Sequence, residues 1–242
     1  MTAFRSLSVS AALGLTLLSG CESPPGQPRK GTETLAPNDV VAFDVLYANN
    51  CAGCHGASGR GGVAISLGDP VYLAIVNDTA MHAAIANGVR GTSMPGFAQR
   101  AGGTLTDQQI DVLAREIRSR WSRPGVLDAT NPPSYAPTSA GDAARGQDAF
   151  ATFCASCHGR NGRGTAKGSA ITSDSFLALV SDQGLRTMVI AGRPELGAPD
   201  WRGNLQGRPM SDQEVTDVVA WLASRRMHAP GQPYQVLPQD SD

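Results

Sequence analysis

Two five-residue stretches carry the chemistry that this chain could do: Cys51-Ala52-Gly53-Cys54-His55 and Cys154-Ala155-Ser156-Cys157-His158. Two thiols three residues apart can each add across a vinyl group of a haem, and a histidine directly after the second thiol is placed to bind the iron. A zinc site would need four ligands converging on one point, and a histidine abutting the second cysteine is not a zinc spacing. A redox dithiol would sit at a helix start in a βαβ context, which neither stretch shows. The doubled motif therefore reads as two covalently bound haem c groups on Cys51, Cys54, Cys154 and Cys157, with His55 and His158 as iron ligands.

An iron held by histidine on one side has a sixth position, and a thioether there raises the potential. For the first site the candidate is Met94, in Gly91-Thr92-Ser93-Met94-Pro95-Gly96-Phe97. A methionine more often fills a core gap, but a loop setting favours the ligand role here. Met81, Met188 and Met227 lie on helical patterns and read as packing. In the second half, Met94-Pro95-Gly96-Phe97 falls opposite Ala198-Pro199-Asp200-Trp201, and alanine has no lone pair to offer. Met210 is the candidate substitute, although it aligns with Leu105, where an apolar packing residue is the simpler reading. An open or water-bound iron, Met210 and His228 all stand as readings of that position. Arg60 and Arg163 each follow a motif histidine by the same interval, which suits either haem propionates or solvent. His82 reads as a surface histidine.

The elements that must position these residues occur twice in the same order. Asp39 is an expected N-cap for a helix through Phe43 and Tyr47 into Cys51. Asp69-Pro70 and Asp78 open two short helices, the second stopped by Gly88. Thr106-Asp107-Gln108-Gln109 is a capping box ahead of the stripe Ile110, Leu113, Ile117 and Trp121. In the second half Phe150 stands before Cys154 as Tyr47 stands before Cys51, Phe176 matches Tyr72, Gly192 matches Gly88, and Ser211-Asp212-Gln213-Glu214 repeats the capping box. Between the copies lies a proline-rich stretch with no periodicity.

The length and the 41% hydrophobic content suit one large or two small globular domains, of which the repeat favours two, and a formal net charge of −1 argues against nucleic-acid binding. Of five cysteines, four belong to the motifs. The fifth, Cys21, follows a short apolar run and Leu18-Ser19-Gly20, which resembles the bacterial lipobox. That resemblance implies cleavage before Cys21 and a diacylglycerol on its thiol, on the periplasmic side of a bacterial membrane; the alternative is an ordinary signal peptide with an incidental cysteine, and either implies export. The expected organisation is a signal peptide over 1–20, a flexible tether over 21–37, a first module over 38–122, a linker over 123–143, a second module over 144–228 and a disordered tail over 229–242.

Taken together, an aromatic four residues before C-x-x-C-H, a Met-Pro-x-aromatic loop and a closing helix opened by Thr/Ser-Asp-Gln resemble the class I c-type cytochromes, over both modules. The resemblance implies an all-α fold, with each module wrapped around one haem c, and electron transfer with redox protein partners such as a respiratory complex, an oxidase or a dehydrogenase. The alternative is a haem enzyme, peroxidase-like or oxidising sulfur compounds, or the cytochrome subunit of a dehydrogenase. No acid/base constellation is visible near either motif, which favours transfer.

Overall fold

The computed structural model describes residues 35–227. Ten α-helices and three short 3-10 turns make up the regular structure, with no β-strand among the described residues. The signal and lipobox with Cys21, nearly all of the tether, His228 and the tail lie outside the described residues.

In the first module, α1 (Phe43–Asn50) runs directly into α2 (Ala52–His55), with the Cys51 N–H still donating to the Tyr47 carbonyl at 2.9 Å. Asp39 does not cap α1; Ala42 holds that place without a side-chain bond, and Asp39 ends a 3-10 turn. The cause is the Gln109 amide, which donates to the carbonyls of Pro37 and Val40, each at 2.8 Å, and draws this segment onto the closing helix. Asp69 Oδ1 accepts from the Val71 and Tyr72 N–H groups and so opens α3 (Pro70–Ile75), with proline in the first turn where its missing N–H costs nothing. Asn77 caps α4 (Asp78–Asn87). Thr106 and Gln109 form the capping box of α5 (Asp107–Trp121), whose Ile110, Leu113 and Ile117 are buried.

The second module repeats this order with α6 (Ala143–Phe153), α7 (Ala155–His158), α8 (Asp174–Leu179), α9 (Asp182–Ala191) and α10 (Asp212–Ala223). Ser211 and Glu214 form the second capping box. Met227 is not a packing residue: α10 ends at Ala223, and Met227 beyond it is 54% exposed.

The proline-rich stretch is fastened to the second module. The Arg186 guanidinium, 2% exposed, donates to the Ser134 carbonyl, to Thr216 Oγ1 and to the Asp212 carboxylate. Asp212 in turn accepts from the Ser134 N–H and hydroxyl, and Gln183 donates to the Tyr135 carbonyl. Extended backbone with few partners of its own is thereby satisfied by side chains of α9 and α10. From Pro37 to Met227 the chain forms one compact unit, with α3 of the first module packed on α9 of the second and one apolar core running through both.

Candidate functional site

Both motifs occupy one short helical turn at the end of a longer helix, and the turn has the same bonds in each copy. The His55 N–H donates to the Cys51 carbonyl and the His158 N–H to the Cys154 carbonyl, each at 3.0 Å. His55 Nδ1 lies 2.8 Å from the Ile65 carbonyl, and His158 Nδ1 lies 2.7 Å from the Ser169 carbonyl. A carbonyl can only accept, so Nδ1 carries the proton and Nε2 keeps its lone pair, the arrangement in which a histidine ligates a metal. Burial lowers the His55 pKa, against the opposing pull of the Ile65 bond, and favours the neutral ligand form.

The first thiol of each motif differs from that of a redox dithiol. Burial, helped by the neighbouring thiol, pushes Cys51 up to about 11 and Cys154 up to about 12. Both are therefore poor thiolates by themselves, unlike the low-pKa cysteine of a redox pair. No three His, Cys, Asp or Glu side chains converge as a metal site among the described residues. These residues fit haem c: two thiols one helical turn apart and an adjacent imidazole with the correct nitrogen free, on a helix whose aromatic residues pack against the closing helix. Tyr47 stacks on Phe43 at 5.4 Å and meets Trp121 edge-on at 5.1 Å, and Phe150 packs on Trp221 at 4.3 Å. The Tyr47 hydroxyl donates to the Gly56 carbonyl at 3.0 Å, a bond Phe150 cannot make.

The loops that would face the irons are anchored alike by a glycine, although their sequences differ and only the second contains a 3-10 turn, Pro194–Leu196. Gly88 and Gly192 end α4 and α9 at φ 72° and 69°. A Cβ at Gly88 would stand 2.6 Å from the Pro95 carbonyl carbon, and one at Gly192 would stand 2.3 Å from the Pro199 oxygen. The same close approach thus places Met94-Pro95 in one loop and Ala198-Pro199 in the other. The Met94 loop is closed by Val89 N–H to the Met94 carbonyl at 3.1 Å and by Met94 N–H to Thr92 Oγ1 at 3.1 Å. Met210 takes the backbone role of Leu105: its N–H donates to the Trp201 carbonyl at 2.9 Å, as Leu105 donates to that of Phe97 at 2.8 Å. Its side chain is 2% exposed, with Sδ 3.9 Å from Asn204 Nδ2.

The arginine repeat does not carry through. Arg60 Nε and Nη2 donate to the Gly68 carbonyl at 3.0 and 2.5 Å, bracing the glycine-rich loop, whereas Arg163 is exposed. His82 Nε2 meets Asp111 at 3.1 Å. A pair the sequence reading passed over is Arg118 and Arg226. Arg118 donates to the carbonyls of Leu73 and Val76 and to Asp78; Arg226 donates to those of Leu177 and Val180 and to Asp182. Each arginine ties the C-terminal end of a short helix to the start of the next. They stand at different distances from their capping boxes, so aligning the halves does not pair them.

The comparisons with known proteins agree with this geometry. A family model described as cytochrome c matches residues 143–226, and one described as cytochrome c oxidase, cbb3-type, subunit III matches residues 38–115. A cytochrome bc1 complex cytochrome c subunit of Mycobacterium bovis is 27% identical over 185 residues, covering 73% of this chain and 60% of the relative. A cbb3-type cytochrome c oxidase subunit FixP of Azorhizobium caulinodans is 28% identical over 163 residues, covering 65% of this chain and 51% of the relative. A subunit CcoP of Azospirillum brasilense is 29% identical over 143 residues, covering 52% and 43%. The chain thus spans 60% or less of the length of these relatives. Two strand-free copies of one helical module, each matched by a c-type model and each presenting its motif histidine in the same hydrogen-bonded form, make this chain a class I c-type cytochrome with two modules.

Proposed function

We propose that the chain carries electrons between respiratory redox partners through two covalent haem c groups, held by Cys51, Cys54 and His55 in the module spanning 38–122 and by Cys154, Cys157 and His158 in that spanning 144–228. The observation that carries this reading is the twin imidazole geometry, in which Ile65 and Ser169 each fix the Nδ1–H tautomer and leave Nε2 for iron. When bound, the haems supply one-electron exchange at iron. The protein's own part is to orient both imidazoles, while the Phe43, Tyr47 and Trp121 cluster and the Phe150 and Trp221 pair pack each motif-bearing helix against its closing helix. Met94 is the proposed thioether ligand of the first site. Relatives named for a bc1 complex and for cbb3-type oxidases support respiratory partners at the membrane. Cys21 is proposed to carry a lipid anchor on the periplasmic side, which Cys21→Ser tests by release of the protein into the soluble fraction; continued tight membrane association would defeat the anchor.

A redox titration followed by absorption and low-temperature spin resonance tests the central reading. Two covalent haems that survive acid-acetone extraction are expected. A colourless, zinc-containing protein would overturn it.

A second reading rests on Ala198. With alanine opposite Met94 and Met210 seated as Leu105 is, the second site lacks a methionine in the usual loop. Such a site has the lower potential and room for a small ligand, the foothold for peroxidase-like or sulfur-compound chemistry. Carbon monoxide added to the reduced protein should shift the spectrum of about half the haem, one site of two. No shift, with Met210→Ala then producing one, would replace the open site by Met210 ligation.

A further inference from the structure

Besides the packing of α3 on α9, the seam between the modules brings together two loops. In the first module the segment from Gly62 to Ser66 carries the Ile65 carbonyl that accepts from His55 Nδ1. The second module grips this segment at both ends. Arg193 Nη2 donates to the Gly62 carbonyl at 2.8 Å, and Ser66 Oγ donates to Glu195 Oε1 at 2.6 Å. Arg193 Nε and Glu195 Oε1 are themselves paired at 2.6 Å, with side chains only 14% and 19% exposed. A charge pair so shielded, with each member also hydrogen-bonded across the seam, holds a defined geometry where a solvated pair would not.

The turn that carries the pair closes on itself. The Arg193 N–H donates to the Ala198 carbonyl at 2.9 Å, and the Ala198 N–H donates back to the Arg193 carbonyl at 3.1 Å. Ala198 is the residue opposite Met94. One hydrogen-bonded turn therefore connects the iron-facing loop of the second module to the histidine-orienting segment of the first.

We propose that Arg193 and Glu195 are positioning residues for His55, supplied by the second module, and that the turn from Arg193 to Ala198 couples the two haem centres. This rests on the two-haem reading above. The partner of a ligand's outer nitrogen sets the ligand's orientation and basicity, so a clamp on either side of Ile65 acts on the first iron through His55. Coupling between two sites is reciprocal, so the redox state of the second centre is felt at the first by the same factor as the reverse.

The test is a double-mutant cycle in the two-haem protein: Ser66→Ala, Glu195→Ala and both together. Glu195→Gln is added because it keeps an acceptor for Ser66 while losing the charge that pairs with Arg193. Each centre's potential is followed through its own spectral band. Each alanine variant should change the electron-sharing equilibrium between the haems by about fivefold, the low end of coupling between sites. The double variant should go no further than the larger single change, and Glu195→Gln should fall between wild type and Glu195→Ala. Amide exchange at Ala64 and Gly68, whose N–H groups donate to the Cys54 and Gly59 carbonyls on either side of the clamped stretch, should quicken in both singles. A lowered melting temperature with unchanged potentials would make the clamp merely structural, and additive shifts would show that the two residues do not act through their mutual bond; either overturns the proposal. If Glu195→Ala fails to fold, Glu195→Leu, which keeps the bulk but offers no acceptor to Ser66, takes its place in the cycle. A wild-type protein without two covalent haems would defeat the haem reading instead, while the exchange rates would still report on the clamp.

Discussion

At the residue scale, the two modules differ at the position proposed for the first iron's thioether ligand, Met94 in one and Ala198 in the other. Met94 offers a sulfur and Ala198 offers nothing, in loops that Gly88 and Gly192 hold against the helix ends by the same backbone approach. Replacing Met94 by alanine should lower the potential of the first centre and abolish the weak red-end absorption of methionine-bound ferric haem, leaving the second centre's spectrum unchanged. An unchanged first potential would place the ligand elsewhere. The identities of these residues are legible by aligning the halves. The partners of the imidazoles are not, because Ile65 and Ser169 act through backbone carbonyls, which any residue type would supply.

At the element scale, capping sets where helices begin and glycine sets where they end. Thr106→Ala and Ser211→Ala each remove the acceptor of a capping box and should cost about 1 kcal/mol, read as a shift in the denaturation midpoint. Gly192→Ala forces a side chain into a left-handed conformation, with its Cβ against the Pro199 oxygen, and should cost about 1–3 kcal/mol. Arg186→Ala leaves the Asp212 carboxylate and the Ser134 carbonyl without their buried donor, and about 3 kcal/mol of stability should be lost on denaturation. A smaller loss than that of a cap variant would show that the stretch from Ser134 to Asp142 needs no fastening. Both capping boxes could be read in advance because their partners lie three residues apart. The Asp39 cap failed because a residue 70 positions away decided it: Gln109 reaches Val40 across 69 residues and Pro37 across 72.

At the scale of the whole molecule, carboxylates at the joints make stability depend on acidity. Burial works to raise Glu195, Asp212 and Asp217, but hydrogen bonds outweigh it and hold all three below the ordinary carboxylate range. The donors are Ser66 and Arg193 for Glu195, Ser134 and Arg186 among those for Asp212, and Arg145 with the Asp142 N–H for Asp217. A lowered folded pKa means that the stabilisation is complete above the unfolded value of about 4 and is lost as pH falls through the folded values. Asp69, raised by burial, works in the opposite direction. With three groups against one, the melting temperature should hold near neutral pH and fall below about pH 4. Asp217→Asn should start lower at neutral pH and show a flatter acid limb; an unchanged acid limb would remove Asp217 from this account.

What the amino-acid order determined by itself is whatever depends on neighbours along the chain. The thiols and histidine of each motif, the capping boxes, the periodic apolar stripes and the twofold repetition are all local patterns, and together they imply an all-α pair of cytochrome modules. Tertiary structure decided what depends on neighbours in space. Arg60 braces a loop while Arg163 stays exposed, Arg118 and Arg226 do one job from unmatched positions, and the proline-rich stretch is fastened by Arg186 and Asp212. The grip of Arg193 and Glu195 on the histidine loop of the other module spans 131 and 129 residues. No periodicity or spacing encodes such a contact, because its geometry exists only after both modules have folded and their surfaces have met.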